Sequence, residues 1–348
     1  MRVNLKNLGW SEVQERAFQT IHEQGQVGRV AAEQKGVYDL YTERGPVKAV
    51  VTGKLQHTAK HRGDFPAVGD WVVTASEVTT ASFARIHSIL PRMSTFSRKE
   101  AGFVTEEQIV ATNVDTVFVV TGLDANFNVR RIERMLLAAW ESGASPVVVL
   151  TKSDLCDAVD NRIDDVKQVA VGVPVYAVSS VTKVGLERLN TYLQEGTTTV
   201  LLGSSGVGKS SLINHFMRRP VQTVQAARAR DARGRHTTTY RQLLLLPDGG
   251  MMIDTPGIRE LQLWDASDGL ENVFSDIEKL SGQCKFRNCT HQSEPGCAVK
   301  EAIESGTLSV TRLQNYSKME REWQRTEEKK RRLERLKGKG KYCRVRNH

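Results

Sequence analysis

The chain has 348 residues, of which 39% are hydrophobic, and it carries a formal net charge of +9 with a mean hydropathy of −0.38. It contains no run of about 18 apolar residues and no apolar stretch at its start, so we expect a cytoplasmic protein with neither a transmembrane helix nor a signal peptide. A chain of this length predicts two or three domains, each large enough to bury a core.

The first hundred residues are predicted to form an N-terminal extension and a small β-barrel. The extension, residues 1–27, includes one helical stretch over residues 11–24. Between residues 28 and 98, short apolar runs such as residues 48–53 are separated by turn residues, which is typical of strands. Short strands at this spacing predict an OB-like β-barrel, and an SH3-like barrel would give a similar pattern.

Residues 99–264 are predicted to form an α/β domain. Strands that are apolar along most of their length alternate there with helices, such as the amphipathic stretch 129–142. Continuous apolar strands of this kind indicate a parallel sheet that is covered on both faces. The predicted strands span residues 114–120, 146–150, 173–178, 198–202, 243–246 and 251–253.

A four-residue segment after the strand 146–150, which we call the base motif, has the chemistry of a guanine-reading site. Asp154 can accept hydrogen bonds from the ring N–H and the exocyclic amino group of guanine, and adenine does not offer this pair of donors. Lys152 can lay its alkyl stem along the base. The commoner first residue is Asn, so Thr151 is a departure, and two serines after the next strand place a backbone N–H near guanine O6. The predicted base-binding residues are Thr151, Lys152, Ser153, Asp154, Ser179 and Ser180.

Residues 203–210 fit the phosphate-binding pattern G-x-x-x-x-G-K-[ST] and are called the P-loop below. The pattern lies between a strand and a helix, where backbone N–H groups and the helix N-terminus can surround phosphates. Lys209 is expected to reach the β- and γ-phosphates during catalysis, and Ser210 is expected to bind Mg²⁺. The predicted phosphate-binding residues are Gly203, Ser204, Ser205, Gly206, Val207, Gly208, Lys209, Ser210 and Ser211.

Two further segments complete the predicted nucleotide site. Asp254 ends the strand 251–253, where a carboxylate can hold Mg²⁺ directly or through water, and the backbone N–H of Gly257 can contact the γ-phosphate. Either Thr238 or Thr239 can complete the Mg²⁺ coordination when the γ-phosphate is present. These threonines could instead simply begin the next strand.

The segment after Asp254 also bears on the rate of hydrolysis. Gly257 is followed by Ile258, whose side chain cannot hold the attacking water through a hydrogen bond. We therefore expect slow intrinsic GTP hydrolysis and stimulation by a partner that orders the loop around His236. His236 is the candidate for positioning the water, and a solvated loop histidine is the alternative.

The order of these motifs indicates a circular permutation. Ordinary GTPases carry the base motif downstream of both the P-loop and the Asp-Thr-Pro-Gly segment that begins here at Asp254. In this chain the base motif precedes both. The sequence therefore predicts a circularly permuted P-loop GTPase domain.

Four potential metal ligands lie within fourteen residues in the C-terminal part of the chain. Cysteines clustered in this way in a cytosolic protein favour a metal over a disulfide. Three thiolates and one imidazole form a closed tetrahedral set, which predicts one structural Zn²⁺ per chain in a mostly helical domain over residues 265–315. Coincident buried cysteines are the alternative. The predicted ligands are Cys284, Cys289, His291 and Cys297.

Positive charge is concentrated in two segments. Residues 318–348 contain 13 Lys and Arg against 5 Asp and Glu, and residues 218–241 contain seven arginines with Asp231 as their one acidic residue. This pattern predicts a basic helix and tail over residues 316–348 and a polyanion as the partner. A solvated basic tail without a partner is the alternative.

Taken together, the motifs resemble the RsgA family of bacterial GTPases over about residues 28–315. The resemblance rests on the permuted order, on the Gly-Arg-His-Thr-Thr-Thr segment at residues 234–239 and on the Cys/His cluster. It implies an OB domain, a permuted G domain and a zinc domain. It also implies a role in late maturation of the 30S ribosomal subunit, with binding to 16S rRNA and GTP hydrolysis stimulated by the subunit.

The expected ligands are GTP, GDP and Mg²⁺, and the expected state is a monomer with no membrane partner. Two other functions compete with the GTPase. One is an RNA-binding ribosomal scaffold or chaperone in which the nucleotide is mainly structural. The other is a general P-loop ATPase acting elsewhere.

Overall fold

Two compact units make up the chain. The N-terminal unit comprises Met1–Met135 and Ser142–Gln262, and the C-terminal unit comprises Leu136–Glu141 and Leu263–His348. Among the described helices, none combines the length and the apolar character needed to cross a membrane. The computed structural model describes residues 4–21, 25–75, 83–99, 107–221, 241–254, 274–286, 289–292, 294–308 and individual positions between 310 and 328.

Five strands of the N-terminal unit form a closed barrel. They are β1 (Gln26–Gln34), β2 (Val37–Thr42), β3 (Gly45–Val51), β4 (Trp71–Thr74) and β5 (Ala84–Ile89). β1 pairs with both β2 and β4, and β3 pairs in parallel with β5, so the strands close in the order β1-β2-β3-β5-β4. This arrangement confirms the predicted OB-like barrel. Each strand contributes an apolar side chain to the interior, namely Val30, Leu40, Ala49, Val72 and Ile86.

The helices of the barrel region differ slightly from the predicted pattern. Helix α1 (Glu12–Ile21) lies within the predicted stretch 11–24. The strand predicted over residues 48–53 ends at Val51, because the side chain of Thr52 accepts a hydrogen bond from the Leu55 amide and begins helix α2 (Gly53–Thr58). Short 3₁₀ helices cover Leu5–Leu8 and Arg62–Asp64.

A two-stranded hairpin follows the barrel. It consists of β6 (Thr95–Lys99) and β7 (Glu107–Thr112), which pair in an antiparallel manner. The predicted boundary between residues 98 and 99 falls inside this hairpin. Local apolar patterns did not reveal the pairing of β6 with β7, because seven residues (100–106) separate the two strands in the sequence.

Six strands form the predicted α/β sheet. They are β8 (Thr116–Gly122), β9 (Ser145–Thr151), β10 (Val175–Ala177), β11 (Thr198–Leu202), β12 (Gln242–Leu245) and β13 (Met251–Asp254), in the order β10-β9-β8-β11-β13-β12. The helices of this domain are α3 (Val129–Glu141), α4 (Val159–Lys167) and α5 (Lys209–Phe216), with 3₁₀ helices at Ser153–Leu155 and Leu186–Tyr192. β12 is antiparallel to β13, which corrects the expectation of an all-parallel sheet, because a short turn at residues 246–250 joins the two strands. The core beneath β8 and β11 includes Phe118, Leu201 and Leu212.

The barrel and the α/β domain share one continuous sheet. β12 pairs with β1 through Ala32 and Gln242, so the eleven strands of the barrel and the α/β domain are hydrogen-bonded in series. The hydroxyl of Tyr41 also donates to the Leu243 carbonyl at 3.4 Å. The chain thus fixes the barrel against the edge of the α/β sheet through backbone pairing.

Arg29, on β1, is buried at this junction and bonds to three separate parts of the chain. Its guanidinium donates to the carbonyls of Leu8, Gly69 (3.2 Å) and Asn113 (2.8 Å), and it lies 5.5 Å from the Trp71 ring centroid. Burial lowers the pKa of Arg29 to about 10, so the side chain stays charged at neutral pH. A buried cation is tolerated here because backbone carbonyls take up its N–H donors.

Arg29→Met should destabilise the N-terminal unit by about 3 kcal/mol, since methionine fills the volume but leaves the buried carbonyls of Leu8 and Asn113 without their donor. Urea unfolding followed by tryptophan fluorescence measures the change. Arg16→Met is the matched control, because Arg16 forms an exposed ion pair with Glu12, and exposed pairs of this kind contribute less than about 1 kcal/mol. Equal unfolding midpoints for the two variants would contradict the role given to Arg29.

The C-terminal unit includes the helices α6 (Ser275–Ser281) and α7 (Ala298–Glu304). Arg312 is almost fully buried, donates to both carboxylate oxygens of Asp276 at 3.1 Å, and lies 4.4 Å from the Phe274 ring centroid. Tyr316 donates to Glu278 at 2.8 Å. The chain beyond α7 therefore packs back against α6 on both sides of the predicted boundary at residues 315 and 316.

Candidate nucleotide site and metal centre

The P-loop connects β11 to α5 and lies close to the neighbouring strand β8. A Cβ atom at Gly203 would lie 2.4 Å from the Val120 carbonyl, so no larger residue fits there without moving backbone. Gly208 has a φ of 102° and turns the chain into α5. The loop residues before Lys209 therefore need glycine at these two positions for steric reasons.

Lys209 lies at the first position of α5, and its ammonium group reaches back over the loop. Its Nζ donates to the carbonyls of Gly203 at 2.6 Å and Ser204 at 2.7 Å. Ser210 follows at the second position of the helix and is half-buried. Both side chains thus lie at the helix N-terminus, where the helix dipole favours an anion.

Asp254 is the last residue of β13, which runs parallel to β11 as its direct neighbour. Because the carboxyl ends of parallel neighbours meet at one edge of a sheet, Asp254 and the P-loop lie at the same edge. Four predicted residues lie outside the described residues: His236, Thr238, Thr239 and Gly257. Their roles stay predictions.

Thr151, the departure from the usual asparagine, links the base motif to the P-loop. Its hydroxyl lies 2.5 Å from the Val207 carbonyl and 3.2 Å from the Thr121 carbonyl. A hydroxyl has one hydrogen to donate, so the shorter contact to the P-loop takes it. Threonine therefore supplies at this position a buried donor to the P-loop backbone.

Lys152 also contacts the P-loop. It adopts a left-handed conformation with φ 59°, and its Nζ donates to the Gly206 carbonyl at 2.7 Å and to the Asp124 carboxylate at 2.6 Å. Burial opposes ionisation of Asp124, but hydrogen bonds from Lys152 and from the Asn126 amide outweigh it, and the pKa of Asp124 is lowered. Asp124 is therefore ionised at neutral pH and forms a charged pair with Lys152.

Asp154 is exposed, and a serine orients its carboxylate. The Ser179 hydroxyl donates to an Asp154 oxygen at 2.5 Å, and the same hydroxyl oxygen accepts from the amides of Val181 and Thr182. Ser179 is fully buried, so this contact is shielded from water on the serine side. The side chain of Ser179 thus holds Asp154, whereas the prediction gave this serine pair a backbone role. The backbone role of Ser180 stays a prediction.

Sequence reasoning missed two residues at this site, Asp124 and Arg131. Arg131, in the first turn of α3, donates to the Ser204 hydroxyl at 3.2 Å. One signal could have revealed Asp124: it lies two residues after Gly122, the last residue of β8, and β8 is the strand beside β11. The ends of strands next to the P-loop strand are the places to search for such residues.

The four predicted metal ligands converge in the C-terminal unit, with all their donor atoms within 4.8 Å of one another. His291 Nδ1 lies 3.7 Å from Cys284 Sγ and 3.4 Å from Cys297 Sγ, and the two sulfur atoms are 3.9 Å apart. Tetrahedral Zn²⁺ with bonds of about 2.3 Å to sulfur and about 2.0 Å to nitrogen requires ligand separations of roughly 3.5 to 3.8 Å. The separations among Cys284, His291 and Cys297 fit a tetrahedral ion of this size, and Cys289 lies within 4.8 Å of the same atoms.

The surroundings of the cluster fix its ligands. His291 Nε2 lies 3.0 Å from the Ser281 hydroxyl, which leaves Nδ1 free to face the sulfur atoms. Glu294 accepts hydrogen bonds from the Thr290 and Gln292 amides, and these bonds close the loop between Cys289 and Cys297. This oriented set can hold a metal ion, and because all four ligands belong to the chain, it suits a structural ion.

Known proteins resemble this chain in sequence and in fold. A family model described as RsgA GTPase matches residues 89–264. A protein of Lactiplantibacillus plantarum named small ribosomal subunit biogenesis GTPase RsgA 2 is 47% identical over 303 residues, covering 86% of this chain and 84% of its own length. The protein of Opitutus terrae named small ribosomal subunit biogenesis GTPase RsgA is 44% identical, with coverage of 92% and 90%.

Two solved structures share the fold. YjeQ from Thermotoga maritima superposes with a TM-score of 0.66 at 27% identity, covering 86% of this chain and 99% of its own. YloQ, described as a circularly permuted GTPase, gives a TM-score of 0.63 at 26% identity, covering 87% and 96%. These matches agree with the closed barrel, with the P-loop on β11 and with the base motif that precedes it. The chain belongs to the RsgA GTPase family.

Proposed function

We propose that this protein is a GTPase of small ribosomal subunit biogenesis that hydrolyses GTP to GDP and phosphate. One observation carries the proposal: Thr151 and Lys152 of the base motif contact the P-loop carbonyls of Val207 and Gly206. The residues proposed to read guanine therefore lie beside those proposed to bind phosphate, at one edge of the sheet. The names of the relatives support the small ribosomal subunit as the partner.

In this proposal different side chains bind the base, the phosphates and Mg²⁺. Asp154, held by Ser179, accepts the two guanine N–H hydrogens, and the Lys152 stem supports the base. Lys209 and the P-loop amides bind the phosphates. Ser210 and Asp254 offer the hard oxygen ligands that suit Mg²⁺, with Thr238 or Thr239 as a further ligand. Mg²⁺ neutralises phosphate charge when bound.

We further propose that the metal in the Cys/His cluster is one structural Zn²⁺ per chain. The 16S rRNA is the proposed polyanion, in line with the basic residues 316–348, and the protein acts in the cytoplasm, where small subunits mature, as a monomer. The proposed domains are an extension (1–27), the barrel (28–98), the permuted G domain (99–264), the zinc domain (265–315) and the basic helix and tail (316–348).

Small ribosomal subunits should raise the GTP hydrolysis rate of the full-length protein by about tenfold or more, because a partner must order the catalytic loop. Phosphate release is measured while 30S subunits are titrated, with large subunits as the control. Lys209→Ala should remove the stimulated rate. A rate that stays flat across the titration would favour the scaffold alternative.

The same assay tests His236 as the residue that positions the water. His236→Ala should lower the stimulated rate by about a hundredfold while GDP affinity stays unchanged, since general positioning of a nucleophile contributes on this scale. A variant that hydrolyses GTP normally with 30S subunits would remove His236 from the mechanism.

A further inference from the structure

The connection between β8 and α3, residues 123–128, and the first turn of α3 together contact both halves of the candidate nucleotide site. The Leu123 amide donates to the Thr151 carbonyl at 2.8 Å, so the connection is bonded to the base motif. At its other end, Arg131 reaches the Ser204 hydroxyl of the P-loop. The segment thus bridges residues that recognise a base and residues that bind phosphate.

Asp124 lies at the centre of this bridge. Its Oδ2 accepts from Lys152 Nζ at 2.6 Å, and its Oδ1 accepts from the Asn126 amide at 2.9 Å, so both carboxylate oxygens are held. The same Lys152 ammonium donates to the Gly206 carbonyl at 2.7 Å. Two of its three N–H donors therefore have fixed partners.

The Asp124–Lys152 ion pair is sufficiently shielded from solvent to contribute to the position of Lys152. The side chains of Asp124 and Lys152 are each 22% exposed, whereas ion pairs that contribute little are usually open to solvent on both sides. Without the carboxylate, the flexible Lys152 side chain would have the Gly206 carbonyl as its remaining partner in this contact. A lysine side chain regains much rotamer freedom when a partner is lost.

We propose that Asp124 is a positioning residue of the nucleotide site, which holds the Lys152 ammonium against the Gly206 carbonyl and thereby fixes the base motif relative to the P-loop before the nucleotide binds. The inference rests on the proposed function and adds a residue to its site. Asp124 acts through Lys152 and does not itself touch the nucleotide. Its contribution should therefore vanish when Lys152 is absent.

A double-mutant cycle on the full-length protein tests this dependence. Affinity for a fluorescent GDP analogue is measured for wild type, Asp124→Ala, Lys152→Ala and the double variant. Asp124→Ala should weaken binding about tenfold in the wild-type background and less than about twofold in the Lys152→Ala background. Asp124→Asn, which keeps a hydrogen-bond acceptor but loses the charge, should restore part of the affinity.

Asp157→Ala is the matched control, because Asp157 is an exposed acid three residues after Asp154; it should bind the analogue as wild type does. Melting temperatures show whether each variant is folded, and Asp124→Asn serves if Asp124→Ala does not fold. If Asp124→Ala weakened binding of the analogue equally in both backgrounds, or did not weaken it at all, the positioning role of Asp124 would be wrong. The proposed nucleotide site would still stand. A wild-type protein that fails to bind the analogue would overturn the nucleotide site and this inference together.

Discussion

Asp154→Asn should convert the protein from a guanine binder into a xanthine binder. The Asp154 carboxylate can accept both the ring N–H and the amino group of guanine, whereas asparagine offers one acceptor and one donor. The asparagine amide N–H would face the guanine amino group, which is also a donor, so no hydrogen bond forms. Xanthine carries a carbonyl at that position, and this carbonyl can accept the hydrogen bond. We expect GDP affinity to fall by about a hundredfold or more, because a site built for a hydrogen bond rejects a mismatched base strongly.

Competition of GDP, XDP and ADP against a fluorescent analogue measures this preference. Asp157→Asn, which removes a nearby exposed carboxylate, is the control and should leave the preference unchanged. Ser179→Ala should cost about tenfold in GDP affinity, since it removes one hydrogen bond that orients Asp154. Unchanged discrimination in Asp154→Asn would show that Asp154 does not read the base, and would revive the P-loop ATPase alternative.

Cys297→Ser should abolish metal binding and unfold the loop from Cys284 to Cys297. The Cys297 sulfur lies 3.9 Å from Cys284 Sγ, and the residue is almost fully buried. A neutral serine hydroxyl binds Zn²⁺ far more weakly than a thiolate does, so serine does not replace cysteine in the set. Structural zinc contributes about 10–16 kcal/mol to small zinc domains, which is as large as the whole stability of a typical domain. Losing the ion therefore removes most of the free energy that holds this loop.

Elemental analysis of the purified protein measures the effect as zinc per chain, which should fall from about one to near zero. Cys156→Ser is the matched control, because Cys156 lies outside the cluster and should leave the zinc content unchanged. GDP binding by the N-terminal unit checks that the variant chain is folded. Full zinc content in Cys297→Ser, or a wild-type protein with another metal, would contradict the assignment.

Much of the fold follows from local patterns. The strand at residues 198–202 was predicted with its observed ends, because two β-branched threonines and three apolar residues are followed directly by the glycine of the P-loop. The antiparallel direction of β12 was missed, since an apolar run has the same composition in either direction. The pairing of β12 with β1 was also missed, because Ala32 and Gln242 carry no pattern that connects them.

In the candidate site too, local motifs were predicted from the sequence and long-range contacts were missed. Asp154 and the P-loop were predicted from spacing, since each motif is contiguous in the chain. Ser179 was predicted to act through its backbone, and its side-chain contact with Asp154 was missed, because the two residues are 25 positions apart. Outside the site, no sequence signal predicted the burial of Arg29, since a single arginine in a strand usually faces water.

The sequence by itself determined the chemistry proposed for this protein, that is, which residues are candidates to read guanine, surround phosphates and bind a metal, because these candidates are side chains at short, fixed spacings. Only the tertiary structure decided which of them act together. Lys152 meets the Gly206 carbonyl across 54 residues, and Arg29 meets the Asn113 carbonyl across 84. Such contacts arise from the order of strands in the sheet, and strand order depends on long-range packing that no local pattern encodes.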